Sequence, residues 1–259
     1  MKTNRNRAFT LVELLTVIAI IAILAAMLMP ALSRVKQQAL KNKAKTEMQG
    51  IVTAVEAYDQ AYGRFPVSTA AQDQATLNKG DFTYGGTFSG ISIGTPIALD
   101  GGAIRTNSEA IAILMDYPVF PGTTTPTVNT NHQSNTKQTK FLNANLAVDN
   151  TSGGVGPDLV YRDPWGNPYV ISMDLNYDEQ CNDAFYALEA VSQNPVGSYV
   201  QTGFNGLFNP NQSPANQSQK DNYLFHGKIM VWSAGPDGKI NLALPANQGV
   251  NKDNILSWQ

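Results

Sequence analysis

The chain has little with which to do chemistry. Its 259 residues include one cysteine, Cys181, and two histidines, His132 and His226. A lone thiol excludes an internal disulfide and reads as a small buried hydrophobe rather than a reactive group. No metal-spaced Cys/His set and no glycine-rich phosphate loop occurs. Asp174, Asp178, Glu179 and Asp183 crowd one stretch, but nothing joins them to a catalytic partner, so the protein reads as a non-enzyme. His132 falls in a polar stretch and reads as a solvated loop residue; His226, near a strand, reads as structural. Charge is scarce too. Only 15% of residues are charged and the formal net charge is -2, which argues against nucleic acid as the main partner. Plentiful Asn, Thr, Gln and Ser describe a polar, weakly charged, extracytoplasmic surface.

The sharpest absence is local. From Leu14 to Leu32 there is no charge for 19 residues, about 28 Å of helix at about 1.5 Å per residue. That matches the hydrocarbon core of a bilayer. Glu13 stands at the edge of this run, behind a short basic leader with Lys2, Arg5 and Arg7. An acid in an apolar span is costly in lipid and marks a functional site by default. An ordinary signal peptide has a shorter apolar region, and Ala31-Leu32-Ser33 before Arg34 is a poor cleavage site. A plain anchor is the other simple reading. Charge counting alone could place the C-terminal side in the cytoplasm, because Arg34, Lys36, Lys41, Lys43 and Lys45 follow the span.

Beyond the span, Ala44, Met48, Ile51, Val55, Tyr58 and Tyr62 step by four and three, which is one helical stripe. The spacing predicts a helix over roughly 9–62, capped by Gly63, apolar all round in its first half and amphipathic in its second. Pro30 removes one backbone bond and is expected to kink or loosen it. Residues 67–158 are the least readable; within them Asn107-Ser108-Glu109 reads as the cap of a short helix ended by Tyr117-Pro118. Leu159–Tyr161 and Tyr169–Met173 read as strands around a Pro/Gly/Asn turn, Lys228–Trp232 as a third. Residues 176–222 look like a loop-rich insertion. Gly235-Pro236-Asp237-Gly238 is a tight turn.

Ala8-Phe9-Thr10-Leu11-Val12-Glu13-Leu14-Leu15 resembles the processing signal of type IV pilins and type II secretion pseudopilins. The resemblance implies that a prepilin peptidase cuts between Ala8 and Phe9 and methylates Phe9; the family usually has Gly where this chain has Ala8. It implies that Glu13 guides assembly by pairing with the new N-terminus of a staggered neighbour. Tyr62-Gly63-Arg64-Phe65-Pro66 is similar to the segment closing the long helix of pseudopilins. Asp163-Pro164-Trp165-Gly166-Asn167-Pro168-Tyr169 is similar to the segment entering the sheet of the major pseudopilin. Trp232 to Gly238 with the late Asp253, Ile255 and Trp258 looks like that protein's calcium loop. There Asp237 and Asp253 are the acids for Ca²⁺, with carbonyls around Trp232 and Asp237.

The expected fold is α+β: a long N-terminal helix packed on a small antiparallel sheet with loop-rich insertions. The expected divisions are a leader over 1–8, a transmembrane and filament-core helix over 9–32, an amphipathic helix over 33–63 and a periplasmic domain over 64–259. The resemblance implies a bacterial inner-membrane protein that assembles through Phe9, Glu13 and Pro30 into a pseudopilus. Its partners would be further copies of itself, prepilin peptidase, the inner-membrane secretion platform, minor pseudopilins and membrane lipid. A type IV pilus subunit, or an anchored periplasmic binding module with a pilin-like N-terminus, are the alternatives.

Overall fold

The computed structural model describes residues 11–77, 80–195, 197 and 199–259. The chain divides into two units, one up to Leu40 and one over Lys41–Gln259. Helix α1, Leu11–Tyr62, is a single element of 52 residues that passes through Pro30. In the second unit Ala44, Met48, Ile51, Val55 and Tyr58 of its apolar stripe are buried and Tyr62 is half-buried against the same core. Gly63 ends it in a left-handed conformation, φ 64°, and its N–H donates to the Asp59 carbonyl at 2.7 Å, as an αL cap should.

The sheet is four-stranded and antiparallel. Its strands are β1 (Asp81–Tyr84), β2 (Val170–Asp174), β5 (Ile229–Ser233) and β6 (Ile255–Leu256), in the order β1-β2-β5-β6. Register pairs Phe82 with Met173, Met173 with Ile229, and Trp232 with both Val170 and Leu256. The three longer strands are buried at every position, because both faces are covered. Phe82, Ile171, Met173, Val231 and Ile255 join the core shared with α1 and with α3, Ser108–Leu114. Val170, Met230, Trp232 and Leu256 point to the other face.

That other face corrects the reading of 176–222 as an insertion. Cys181, Phe185, Tyr186, Val191 and Leu207 join one buried cluster with Trp232 there. The segment also carries β3 (Gln180–Asn182), paired with β4 (Leu224–His226). It is the second half of the core. The stretch 67–158 holds α2 (Thr69–Leu77), β1 and α3. Within the four-stranded sheet β1 and β6 have no clear sequence signal, β1 being four residues long and buried on both faces and β6 only two residues long.

Two local mechanisms differ from expectation. α3 forms, but Asn107 makes no side-chain cap. Its fully buried amide instead donates to the carbonyls of Tyr161 and Tyr169 and accepts from Tyr161 N–H. His132 is not merely solvated: its Nδ1 lies 2.7 Å from Asp116 Oδ1. Asp116 also accepts from Asn129 at 2.9 Å, so polar side chains tie the loop after α3 together beside the packing of Tyr117, Phe120 and Val128 on the core.

Candidate functional site

The N-terminal unit is defined by what it leaves uncovered. Fifteen large apolar side chains from Leu11 to Val35 are 46–82% exposed. Covering them is worth of order tens of kcal/mol, since one such side chain contributes about 1.5–3 kcal/mol. Among the described residues this is one helix long and apolar enough to cross a membrane. Glu13 sits in its first turn, and the Glu13 carbonyl accepts a hydrogen bond from the Thr16 hydroxyl at 3.0 Å. Ala8 and Phe9, where the resemblance places the cut, lie outside the described residues. Pro30 is inside the helix.

In the second unit, the Asp163–Tyr169 segment is built around one carboxylate. Asp163 Oδ1 accepts from the N–H groups of Trp165 and Asn167, each at 2.9 Å. Its Oδ2 accepts from the Ser233 hydroxyl at 2.6 Å and from Asn167 Nδ2 at 3.3 Å. Burial raises the Asp163 pKa, and the Ser233 hydroxyl leads the opposing hydrogen bonds. Gly166 is required here. Its φ is 95°, and a Cβ would lie 2.1 Å from the Thr151 carbonyl oxygen.

The same segment holds the C-terminal loop. Asn167 Nδ2 donates to the Gly235 carbonyl at 3.1 Å. Gly235 in turn lies against Asp253, whose carbonyl oxygen would be 2.3 Å from a Cβ at that position. Asp253 and Asp237, the two acids expected to bind Ca²⁺, are thus brought together. Burial first, then the charge of Asp237, raises the Asp253 pKa. Asp253 Oδ1 is buried with no hydrogen-bond partner, whereas Asp237 Oδ1 accepts from Lys239 N–H at 2.9 Å. An orphaned buried carboxylate oxygen beside a second acid fits a cation. Among the described residues no group of three or more His, Cys, Asp or Glu could hold a metal. Carbonyls and water would therefore supply most of the six to eight oxygens Ca²⁺ takes.

Two acids of 174–183 hold backbone and side-chain donors in place. Asp174 accepts from the N–H groups of Tyr177, Asp178 and Glu179 and so shapes the turn after β2. Fully buried Asp183 accepts from Ser172 Oγ, Trp232 Nε1 and two backbone N–H groups. Cys181 is buried and free. His226 stacks on Phe208, with ring centroids 4.0 Å apart.

Sequence reasoning missed Glu47. It lies between Lys43 and Met48 on α1 and accepts the Tyr169 hydroxyl at 2.7 Å, pinning the helix to the end of the Asp163 segment. The available signal was a carboxylate directly beside the buried stripe.

These features define a class: a chain with an exposed, membrane-length apolar helix carrying an acid in its first turn, followed in sequence by an α+β domain. The prokaryotic N-terminal methylation motif matches residues 3–29. The type IV major pilin protein PilA of Myxococcus xanthus is 38% identical over 61 residues, covering 24% of this chain and 28% of that protein. The chain thus spans little more than a quarter of the relative's length. No solved structure matches it. The motif and the exposed apolar helix fit a membrane-anchored protein.

Proposed function

We propose that this protein is a non-catalytic subunit of a type II secretion pseudopilus. Prepilin peptidase cuts before Phe9, and the mature chain waits in the inner membrane with Lys41–Gln259 in the periplasm. A secretion platform then lifts it out of lipid. Its apolar helix passes directly into the filament core, because tens of kcal/mol of exposed apolar surface forbids a stay in water. Cleavage creates an ammonium at Phe9 near the depth of Glu13, and the two pair between staggered copies. Pro30 supplies a backbone bond already missing, where the helix can bend or stretch on leaving the bilayer.

The observation that carries the secretion reading is the lock between the Asp163–Tyr169 segment and the Gly235 loop, which sets Asp253 beside Asp237. Ca²⁺ at this pair would fix the C-terminal loop on the sheet, adding charge where a buried carboxylate oxygen lacks a partner. Minor pseudopilins would contact the filament's end. The second reading, a type IV pilus subunit, is favoured by the similarity to a type IV major pilin.

Mass spectrometry of the N-terminus from native membranes tests processing: a methylated Phe9 is expected, and an intact Met1 or a start beyond Ser33 overturns it. A strain lacking the protein should lose export of folded proteins and keep its surface pili. Loss of pili with export intact would make it the pilus subunit.

A further inference from the structure

Tyr186, Phe204, Asn205, Asn247, Asn254 and Gln259 line a cavity of about 130 Å³ on the second face of the sheet. That volume holds about four waters at about 30 Å³ each. Four of these side chains are primary amides and two are aromatic rings. Among the described residues no acidic side chain lines the cavity, and the one basic side chain there is the exposed Lys252.

The amides are only half used by the protein. Asn254 Nδ2 donates to the Tyr186 hydroxyl at 3.1 Å, while its Oδ1 is buried with no hydrogen-bond partner. A buried acceptor in that state carries its full desolvation cost and wants a donor. Across the rim, Gln259 Nε2 donates to Asn205 Oδ1 at 2.5 Å, which leaves the Gln259 carbonyl and the Asn205 NH₂ for something else. Asn251, by contrast, is spent on the wall: it donates to the carbonyls of Asn241 and Leu244 and accepts from Asn241 N–H. The wall is therefore held while the rim amides remain able to give and take hydrogen bonds. Trp258 packs edge-on against Tyr186, with centroids 5.4 Å apart, placing a fluorophore one ring from the cavity.

The chemistry selects the ligand. A phosphate or carboxylate would call for clustered cations, and an amine for a carboxylate. A hydroxyl both donates and accepts, as an amide does, and the C–H face of a sugar ring lies well on an aromatic side chain. We propose that the open mouth of this cavity seats one hydroxyl-bearing edge of a neutral sugar unit, a hexose or N-acetylhexosamine at the exposed end of a glycan, the rest of the ring lying outside the roughly 130 Å³ interior. Asn254, Asn205 and Gln259 take its hydroxyls, and Tyr186 and Phe204 its apolar face.

The test uses the full chain in lipid nanodiscs, free of glycoside detergents, with N-acetylglucosamine and methyl glucoside as probes. Saturation-transfer NMR and Trp258 fluorescence should both report binding of at least one of them, with Kd of about 1 mM. Asn254→Leu should weaken it about tenfold or more. Asn205→Gly should do the same while keeping the left-handed backbone at that position, φ 59°, and so the fold. No binding of either sugar by the native chain, with water alone in the cavity, overturns the proposal. So does native affinity in Asn205→Gly.

Discussion

Tyr169 donates its hydroxyl to Glu47 at 2.7 Å, joining two residues 122 positions apart. The bond ties the amphipathic half of α1 to the segment that enters the sheet. Glu47 is also 3.8 Å from Lys43, one turn earlier. Burial raises the Glu47 pKa above its usual value, with the Tyr169 bond as the main opposing effect. The folded state therefore binds the proton more tightly than the unfolded chain does. Stability contributed by this group is highest below the unfolded value near 4.5 and falls as pH rises through the folded one. Glu47→Gln keeps an acceptor for Tyr169 and removes the titration. Thermal melts should show the native protein losing stability relative to Glu47→Gln as pH rises from about 4 to about 7; a constant gap would refute this.

Asp163 should be among the most sensitive positions in the second unit. Asp163→Ala leaves the Ser233 hydroxyl and two loop N–H groups without their acceptor. Bonds to a charged group contribute about 1.5–3 kcal/mol each, so a loss of about 3 kcal/mol or more is expected in denaturant unfolding. Ser233→Ala removes one donor to Asp163 and the acceptor of the Gly235 N–H and should cost about 1–3 kcal/mol. Equal costs for the two would contradict the central role of the carboxylate.

The same substitution should act with opposite sign at two glycines of one helix. Gly50 lies inside α1, and a Cβ there meets nothing within 4 Å. Gly50→Ala should stabilise by about 0.5–1 kcal/mol through helix propensity. Gly63 is also open but holds φ 64°. Gly63→Ala should destabilise by about 1–2 kcal/mol. Stability curves of the two variants decide it.

Ca²⁺ should raise the melting temperature of the full chain. At one hundred times Kd the gain is about 2.7 kcal/mol. Asp253→Asn should abolish the shift, because Asp253 Oδ1 is the buried oxygen without a partner. An unchanged melting temperature on adding Ca²⁺ would remove calcium from the proposal.

Glu13→Leu should still insert in the membrane, since it only makes the run more apolar. It should fail to enter filaments when co-expressed with the native chain. Normal co-assembly, read by pull-down of tagged filaments, would show that Glu13 is dispensable.

Much of this protein was legible in its sequence, and the reason is locality. A run of 19 uncharged residues, a stripe from Ala44 to Tyr58 and a cap at Gly63 each depend on neighbours within one or two helical turns. So does the Asp163 turn, whose carboxylate serves N–H groups two and four residues on. Tertiary structure decided the rest. The stretch 176–222 reads as loop because its apolar residues follow no single period, yet Phe185 and Tyr186 are buried against Trp232. β1 is four residues long and becomes a strand by pairing with β2. Asn107 has the sequence position of a cap, but buried carbonyls of Tyr161 and Tyr169 claim its amide. Glu47 and Tyr169, Asp253 and Gly235, and the amides around Tyr186 meet only after the chain folds back on itself. A linear pattern registers what repeats along one element; it cannot register which distant polar groups will be buried together and must satisfy one another.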